Sequence, residues 1–283
     1  MNTYKRRKIA DHLMCWLAFS CAILTLVPLV SIFAYILSKG ITSLNLDFFL
    51  NLPKPVGEPG GGMGNAIVGT LILIGLSCLW AIPLGIFGGV YLAEFGNNKL
   101  GMAVRFTADV LNGIPSIVIG IFAYTLFVLP MKSFSAISGA FALGIIMIPT
   151  IMRTTEELLR MVPRTLREAA LALGISQFRT IVSIVLKTAL PGILTGILLV
   201  IARIAGETAP LLFTAFGNRF WQHGLSQPIA ALPLQIFAYA ISPFDDWHRQ
   251  AWAGAFVLIA MVFLASFISR FVIGLRYQSV RSR

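Results

Sequence analysis

The sequence predicts an all-α integral membrane protein with about six transmembrane helices and an N-in, C-in orientation. Three observations predict this fold class: the composition, the long apolar runs and the uneven placement of basic residues. Hydrophobic residues make up 57% of the 283 residues, charged residues make up only 12%, and the mean hydropathy is +0.85. Soluble domains carry about twice that share of charge, and helices are the usual spanning elements in lipid.

Six apolar runs are long enough to cross a bilayer, because about 20 apolar residues span its hydrocarbon core. The fourth run is short, and we expect its helix to continue into water as far as residue 160. The predicted spans are residues 13–37, 66–93, 110–129, 137–152, 181–205 and 251–273.

The basic residues set the orientation. Placing the N-terminus inside puts sixteen of the 22 Lys and Arg residues on the inner side and five on the outer side, with Arg203 left within a span. This bias predicts N-in and C-in. Residues 1–12 are then a cytoplasmic segment, and residues 13–283 form a single transmembrane domain. We interpret the net charge of +11 as topology signals and contacts with membrane lipid, and not as nucleic-acid binding.

The inner loop of residues 153–180 predicts a short helix at about residues 163–175. Pro163 suits the start of a helix, and Gly174 suits the left-handed residue that follows one. Such a helix is too short to be stable alone in water. Its apolar residues Ala169, Ala170 and Leu173 fit either a groove on another protein or the membrane surface. The residues alone do not decide between these two.

The fifth run carries a charged pair, Arg203 and Glu207, whose spacing of four places both on one helix face. Arg203 lies about 24 Å along the helix from Lys187, in the outer half of the bilayer. Its guanidinium could hold two oxygens of an anion, and Glu207 could neutralise it when no anion is present. An internal ion pair, or an arginine reaching the outer interface, explains the same pattern. An outer loop of about residues 207–250 follows.

The sequence contains no pattern for catalysis or for metal binding. The histidines lack ligand spacing, and the three cysteines fall within predicted spans without a Cys-x-x-Cys pair. No nucleotide-binding loop motif is present. We therefore expect this chain to be neither an enzyme nor a metal-binding protein, and to hold no cofactor of its own.

Several segments resemble a known family. The pattern Glu168-Ala169-Ala170-x-x-x-Gly174, followed by Ile184-x-Leu186, resembles the EAA loop of ABC importer permeases. Residues 61–70, 113–122, 162–164 and 203–214 are similar to phosphate importer permeases of the PstA type, and the similarity runs from about residue 60 to residue 250. Lys187 departs from the pattern, which has Pro there, and this affects how the fifth span begins.

The resemblance implies a type I ABC importer permease in the bacterial inner membrane, with inorganic phosphate as the substrate. It implies four kinds of contact partner: a second, related permease, two cytoplasmic ATPase subunits that bind ATP and Mg²⁺, an extracytoplasmic phosphate-binding protein, and lipid. By position, Arg203 and Glu207 would line the substrate path. The residues that would couple to the ATPase are Arg167, Glu168, Ala169, Ala170, Leu173 and Gly174.

The residues by themselves are also compatible with other functions. A permease for another oxyanion, such as molybdate or sulfate, would share the fold. A secondary carrier that does not use ATP would be expected to bury several carboxylates, and Glu207 is the main candidate here. A membrane scaffold would need no intramembrane arginine.

Overall fold

The computed structural model describes residues 2–55, 58 and 60–281, and helices dominate this part of the chain. A 3-10 turn follows the first helix at Ile41–Ser43, and π-helical turns occur at Tyr124–Val128 and Ile181–Val185. The α-helices of the described residues are α1 Asn2–Gly40, α2 Leu46–Leu50, α3 Gly64–Glu94, α4 Lys99–Gly113, α5 Ser116–Ala123, α6 Leu129–Met131, α7 Ala136–Met161, α8 Arg164–Ala172, α9 Gln177–Thr180, α10 Leu186–Ala205, α11 Ala209–Thr214, α12 Leu232–Ala240 and α13 Asp245–Arg281.

The predicted number of spans is confirmed. Within the described residues, five helical segments are long and apolar enough to cross a membrane, and a bent pair makes a sixth if it is counted as one span. The helix of the fourth span continues to Met161, as expected. The five segments are Thr3–Ser43, Gly64–Glu94, Ala136–Met161, Gln177–Ala205 and Asp245–Ile268.

The third predicted span, residues 110–129, is wrong as a single straight helix. The chain bends by 104° between Lys99–Gly113 and Ser116–Met131. Ile114 is extended, with φ −72° and ψ 132°, because a residue before proline avoids the helical region. Pro115 has no N–H to continue the helical ladder of α4. The break therefore separates α4 from the helix that rises through α5 and α6.

The helix α7 lies at the centre of the bundle, between α3 and α10. Glycines on its neighbours allow the backbones to approach closely. A Cβ on Gly85 of α3 would lie 2.7 Å from the Cβ of Ile151, and a Cβ on Gly196 of α10 would lie 2.6 Å from the Cγ2 of Thr154. Larger residues at these glycines would force the three helices apart.

The outer loop packs on the outer ends of α3 and α7. The N–H of Ser135 donates to the carbonyl of Thr214 at 3.0 Å. The N–H of Leu232, at the start of α12, donates to the hydroxyl of Thr70 at 2.8 Å. Segments that the charge pattern places on the outer side therefore meet one another, as that topology requires.

The helix α1 lies at the side of the bundle and packs on α13. The rings of Tyr35 and Trp252 lie 4.8 Å apart, and those of Phe33 and Phe263 lie 6.1 Å apart. Most of the described side chains of α1 are exposed. The helix is continuous from Asn2, so residues 2–12 form its first turns.

Candidate functional site

The short helix predicted in the inner loop forms at α8, and its two ends follow local rules. Pro163 precedes it with an extended ψ of 139°. At the other end Gly174 has φ +76°. The N–H of Gly174 donates to the carbonyl of Leu171 at 2.9 Å, and the N–H of Ile175 donates to that of Ala170 at 3.1 Å. This pair of bonds is the Schellman arrangement, which satisfies carbonyls at the end of a helix.

The predicted coupling residues do not all face the same way. Glu168, Ala169 and Leu173 are exposed, and 80% of the surface of Leu173 is accessible to solvent. Ala170 is buried within the chain. Arg167 also points inward, where its guanidinium pairs with Glu94 at 2.7 Å. Glu168, Ala169 and Leu173 are thus open to solvent, whereas Ala170 and Arg167 are turned into the chain.

Replacing Gly174 with Val is expected to weaken the end of α8. A β-branched residue at φ +76° is strained by about 1–2 kcal/mol, whereas no atom beyond the two adjacent residues lies within 4 Å of a Cβ there. The backbone alone is therefore responsible. Hydrogen exchange of the α8 amides should become faster in Gly174→Val. Gly174→Asn is the matched control, because Asn tolerates this conformation; equal exchange in both variants would contradict the explanation.

A buried ionic cluster lies at the inner ends of α4 and α7. Glu156 has 1% of its side chain exposed, and its carboxylate pairs with Arg105 at 2.6 Å, Arg153 at 2.7 Å and Arg160 at 2.8 Å. Arg153 also pairs with Asp109 of α4 at 3.0 Å. We call Glu156 and its three arginines the Glu156 cluster. It joins α4 to α7, since Arg105 lies on α4 and the other members lie on α7.

The Glu156 cluster was not predicted from the sequence. Arg105, Arg153 and Arg160 were interpreted only as topology signals and lipid contacts. Two of the three pairs carry a helical spacing, three residues for Arg153 and four for Arg160, so these two could have been predicted from the sequence. The third pair joins residues 51 apart in sequence and is visible only in the fold.

The candidate path residue Arg203 lies on the face of α10 that this chain leaves open. A neighbouring face of the helix packs into the core through Ile193, Ile197 and Ile204. Arg203 has 53% of its side chain exposed, and Leu199, one turn earlier, is exposed as well. A charged group that faced lipid in a span would cost about 2.5–3.5 kcal/mol. A partner subunit or a water-filled path suits this face better than lipid does.

Arg203 and Glu207 remain neighbours although Glu207 lies beyond the helix. The helix α10 ends at Ala205, and the N–H of Glu207 donates to the carbonyl of Ile204 at 3.1 Å in the following turn. The Nε of Arg203 lies 4.0 Å from Oε1 of Glu207, too far for a hydrogen bond. The ion pair is therefore weak, and Glu207 does not occupy the hydrogen-bond donors of the guanidinium. Among the described residues, no group of three or more His, Cys, Asp or Glu could hold a metal ion.

Comparisons with known proteins agree with this architecture. The family model of the binding-protein-dependent transport system inner membrane component matches residues 81–282. The phosphate transport system permease protein PstA of Xylella fastidiosa (strain 9a5c) is 45% identical over 271 residues, which cover 95% of this chain and 94% of that protein. The PstA protein of Pasteurella multocida (strain Pm70) is 46% identical over 265 residues, which cover 93% and 94%.

A solved structure shows the same fold. The inward-facing MetNI methionine ABC transporter, in its CY5 native crystal form, has a TM-score of 0.60 and 18% identity, with 75% of this chain and 96% of that chain covered. The fold is thus that of a type I ABC importer permease, an inner-membrane protein with several spans. This chain belongs to the binding-protein-dependent transport system inner membrane components, and within that family to the PstA permeases.

Proposed function

We propose that this chain is a permease subunit of an ATP-driven importer of inorganic phosphate and forms half of its translocation path. The observation that carries the proposal is the similarity to proteins named phosphate transport system permeases, at 45% and 46% identity over nearly the full length. The open, charged face of α10 and the exposed helix α8 support the proposal.

The proposed importer contains a second, related permease, two cytoplasmic ATPase subunits and an extracytoplasmic phosphate-binding protein. The family's description, a binding-protein-dependent transport system, supports a delivery protein. A second permease would cover the face of α10 that carries Arg203, which this chain leaves exposed. ATP and Mg²⁺ would be bound by the ATPase subunits, where hydrolysis supplies the energy.

The surface of α8 formed by Glu168, Ala169 and Leu173 is the proposed contact with the ATPase. Leu173 directly follows α8 and lies four residues after Ala169, so the two lie on the same side of the end of α8. An exposed leucine beside an alanine favours a groove that removes both from water. Glu168 adds a charge that fixes the orientation of the helix in such a groove. Gly174 contributes by ending α8 at the correct residue.

Arg203 is the proposed contact with phosphate in the path. A guanidinium presents donors in a planar fork that matches two phosphate oxygens. Because Glu207 holds Arg203 only at 4.0 Å, an arriving anion would not have to break a short ion pair. Glu207 would neutralise the guanidinium again once the anion has left. This exchange keeps the affinity low enough for release.

Oxyanion competition tests the proposed substrate. Membrane vesicles from cells that produce the chain with its partner subunits should take up labelled phosphate, and excess unlabelled phosphate should abolish that uptake. Excess sulfate and excess molybdate should leave it unchanged. A path built for another oxyanion would give the reverse order, with sulfate or molybdate as the stronger competitor. Vesicles without this chain serve as the control.

A further inference from the structure

Arg167 is bound to the ends of two spans and not to the open surface of α8. Its Nη2 donates to Oε1 of Glu94 at 2.7 Å, and its Nε lies 3.3 Å from the same oxygen. Its Nη1 donates to the carbonyl of Val162 at 2.7 Å, and Nη2 also donates to that of Leu159 at 2.9 Å. Glu94 is the last residue of α3, and Leu159 and Val162 lie at the end of α7.

These bonds are of the strong kind. Hydrogen bonds between charged groups are shorter and about twice as strong as neutral ones. A cation beside the last carbonyls of a helix also meets the negative end of the helix dipole. Only 20% of the Arg167 side chain and 10% of the Glu94 side chain are exposed, so water competes weakly. Arg167 therefore fixes α8 to α3 and α7 at one point.

The helix α8 has few other attachments. Ala170 is its one buried residue, and an alanine side chain buries little apolar area. The link to α7 is the extended pair Val162–Pro163, through which no helical ladder runs because proline has no N–H. Without Arg167, α8 would lose its hydrogen bonds to the ends of α3 and α7 and would keep only this link and its contacts with α9 and the Ile181–Val185 turn.

The contact continues into the Glu156 cluster. Arg105 donates to the carbonyl of Leu92 at 2.8 Å and to that of Gly96 at 2.9 Å, on either side of Glu94. Arg105 is also the partner of Glu156. A series of charged hydrogen bonds thus runs from α8 to the inner end of α3, and from there to α4 and α7.

We propose that Arg167 and Glu94 form a strut that makes α8 move as one body with the inner ends of α3 and α7. A displacement of α8 imposed by the ATPase is then passed to the spans and is not lost in a pivot at Pro163. Arg167 is a positioning residue in this role, because it acts through α3 and α7 and touches neither ATP nor phosphate. The inference rests on the proposed function and names the element that transmits its motion.

If Arg167 and Glu94 form this strut, three substitutions should weaken the coupling of ATP hydrolysis to phosphate import to different degrees. Arg167→Met keeps a long unbranched apolar stem but removes all the donors. Glu94→Gln keeps an acceptor for Arg167 and leaves both backbone carbonyls bound, so its effect should be smaller. Arg167→Lys keeps the charge but lacks the fork that reaches Glu94 and the carbonyls together; it should fall between the other two.

The test is the amount of phosphate imported per ATP hydrolysed by the complete importer in proteoliposomes. In Arg167→Met the ATPase should still co-purify and hydrolyse ATP, while phosphate imported per ATP falls roughly two- to thirtyfold. Arg179→Met is the matched control, since Arg179 is an exposed arginine of the same inner segment; its ratio should equal that of the wild type. If Arg167→Met is not produced in the membrane, Glu94→Gln and Arg167→Lys carry the test.

Two results would overturn the strut. One is a wild-type ratio in the assembled variants. The other is loss of the ATPase from the purified complex, which would place Arg167 in docking and not in transmission. Failure of the proposed function looks different: the wild-type importer itself would then hydrolyse ATP without importing phosphate.

Discussion

Glu156→Ala is expected to lower the free energy of unfolding by about 3 kcal/mol. Removing one member of a buried ion pair leaves its partners uncompensated, at a cost of about 3–5 kcal/mol. The expected loss of stability lies at the low end of this range because the arginines are partly exposed. The exposed fractions of the Arg105, Arg153 and Arg160 side chains are 22%, 28% and 54%. Three guanidinium groups would also repel one another once the carboxylate is gone. Thermal unfolding in detergent, followed by tryptophan fluorescence, measures the loss.

The neighbouring residue supplies the control for this experiment. Glu157 lies on the same helix but is exposed, and exposed substitutions usually change stability by no more than about 0.5 kcal/mol. Glu157→Ala should therefore unfold near the wild-type temperature. If Glu156→Ala and Glu157→Ala unfold together, the Glu156 cluster does not hold α4 to α7.

Arg203→Ala is expected to reduce phosphate uptake by about ten- to a hundredfold. A hydrogen bond to a charged group contributes about 1.5–3 kcal/mol, and each 1.4 kcal/mol corresponds to about a tenfold change in rate. The loss should appear in uptake at low phosphate, with normal amounts of the chain in the membrane. Arg203→Lys should recover part of the rate, because it restores the charge without the planar fork.

The control for Arg203 is Leu199→Ala on the same open face of α10. Leu199 is exposed and uncharged, so its truncation alters the surface without removing a donor. Uptake by Leu199→Ala should stay close to the wild type. Normal uptake by Arg203→Ala would remove this residue from the path.

Composition and local chemistry predicted most of the fold. The spans follow from apolar length, and the bounds of α8 follow from Pro163 and Gly174. The bend at Pro115 was missed because apolarity runs through residues 110–129 without interruption, and hydropathy does not register backbone geometry. The pair Ile114–Pro115 carried that signal, since a residue before proline avoids the helical region.

The candidate site was predictable only in part. Arg203 stood out because a charge within an apolar run is rare. The direction in which each side chain of α8 points was not predictable, since the neighbours of a nine-residue helix are set by distant segments. Arg167 illustrates this: its partner Glu94 is 73 residues away, and the resemblance to the EAA loop gave no reason to pair them.

The most direct test of the whole account is the energy source of transport. Vesicles that contain the complete importer and its binding protein, loaded with ATP and Mg²⁺, should accumulate labelled phosphate against its gradient. A non-hydrolysable ATP analogue should support none, and collapse of the proton gradient should change nothing. Accumulation that continues without ATP and stops when the proton gradient is collapsed would contradict the account, because this chain would then act as a carrier and not as a permease moved by an ATPase.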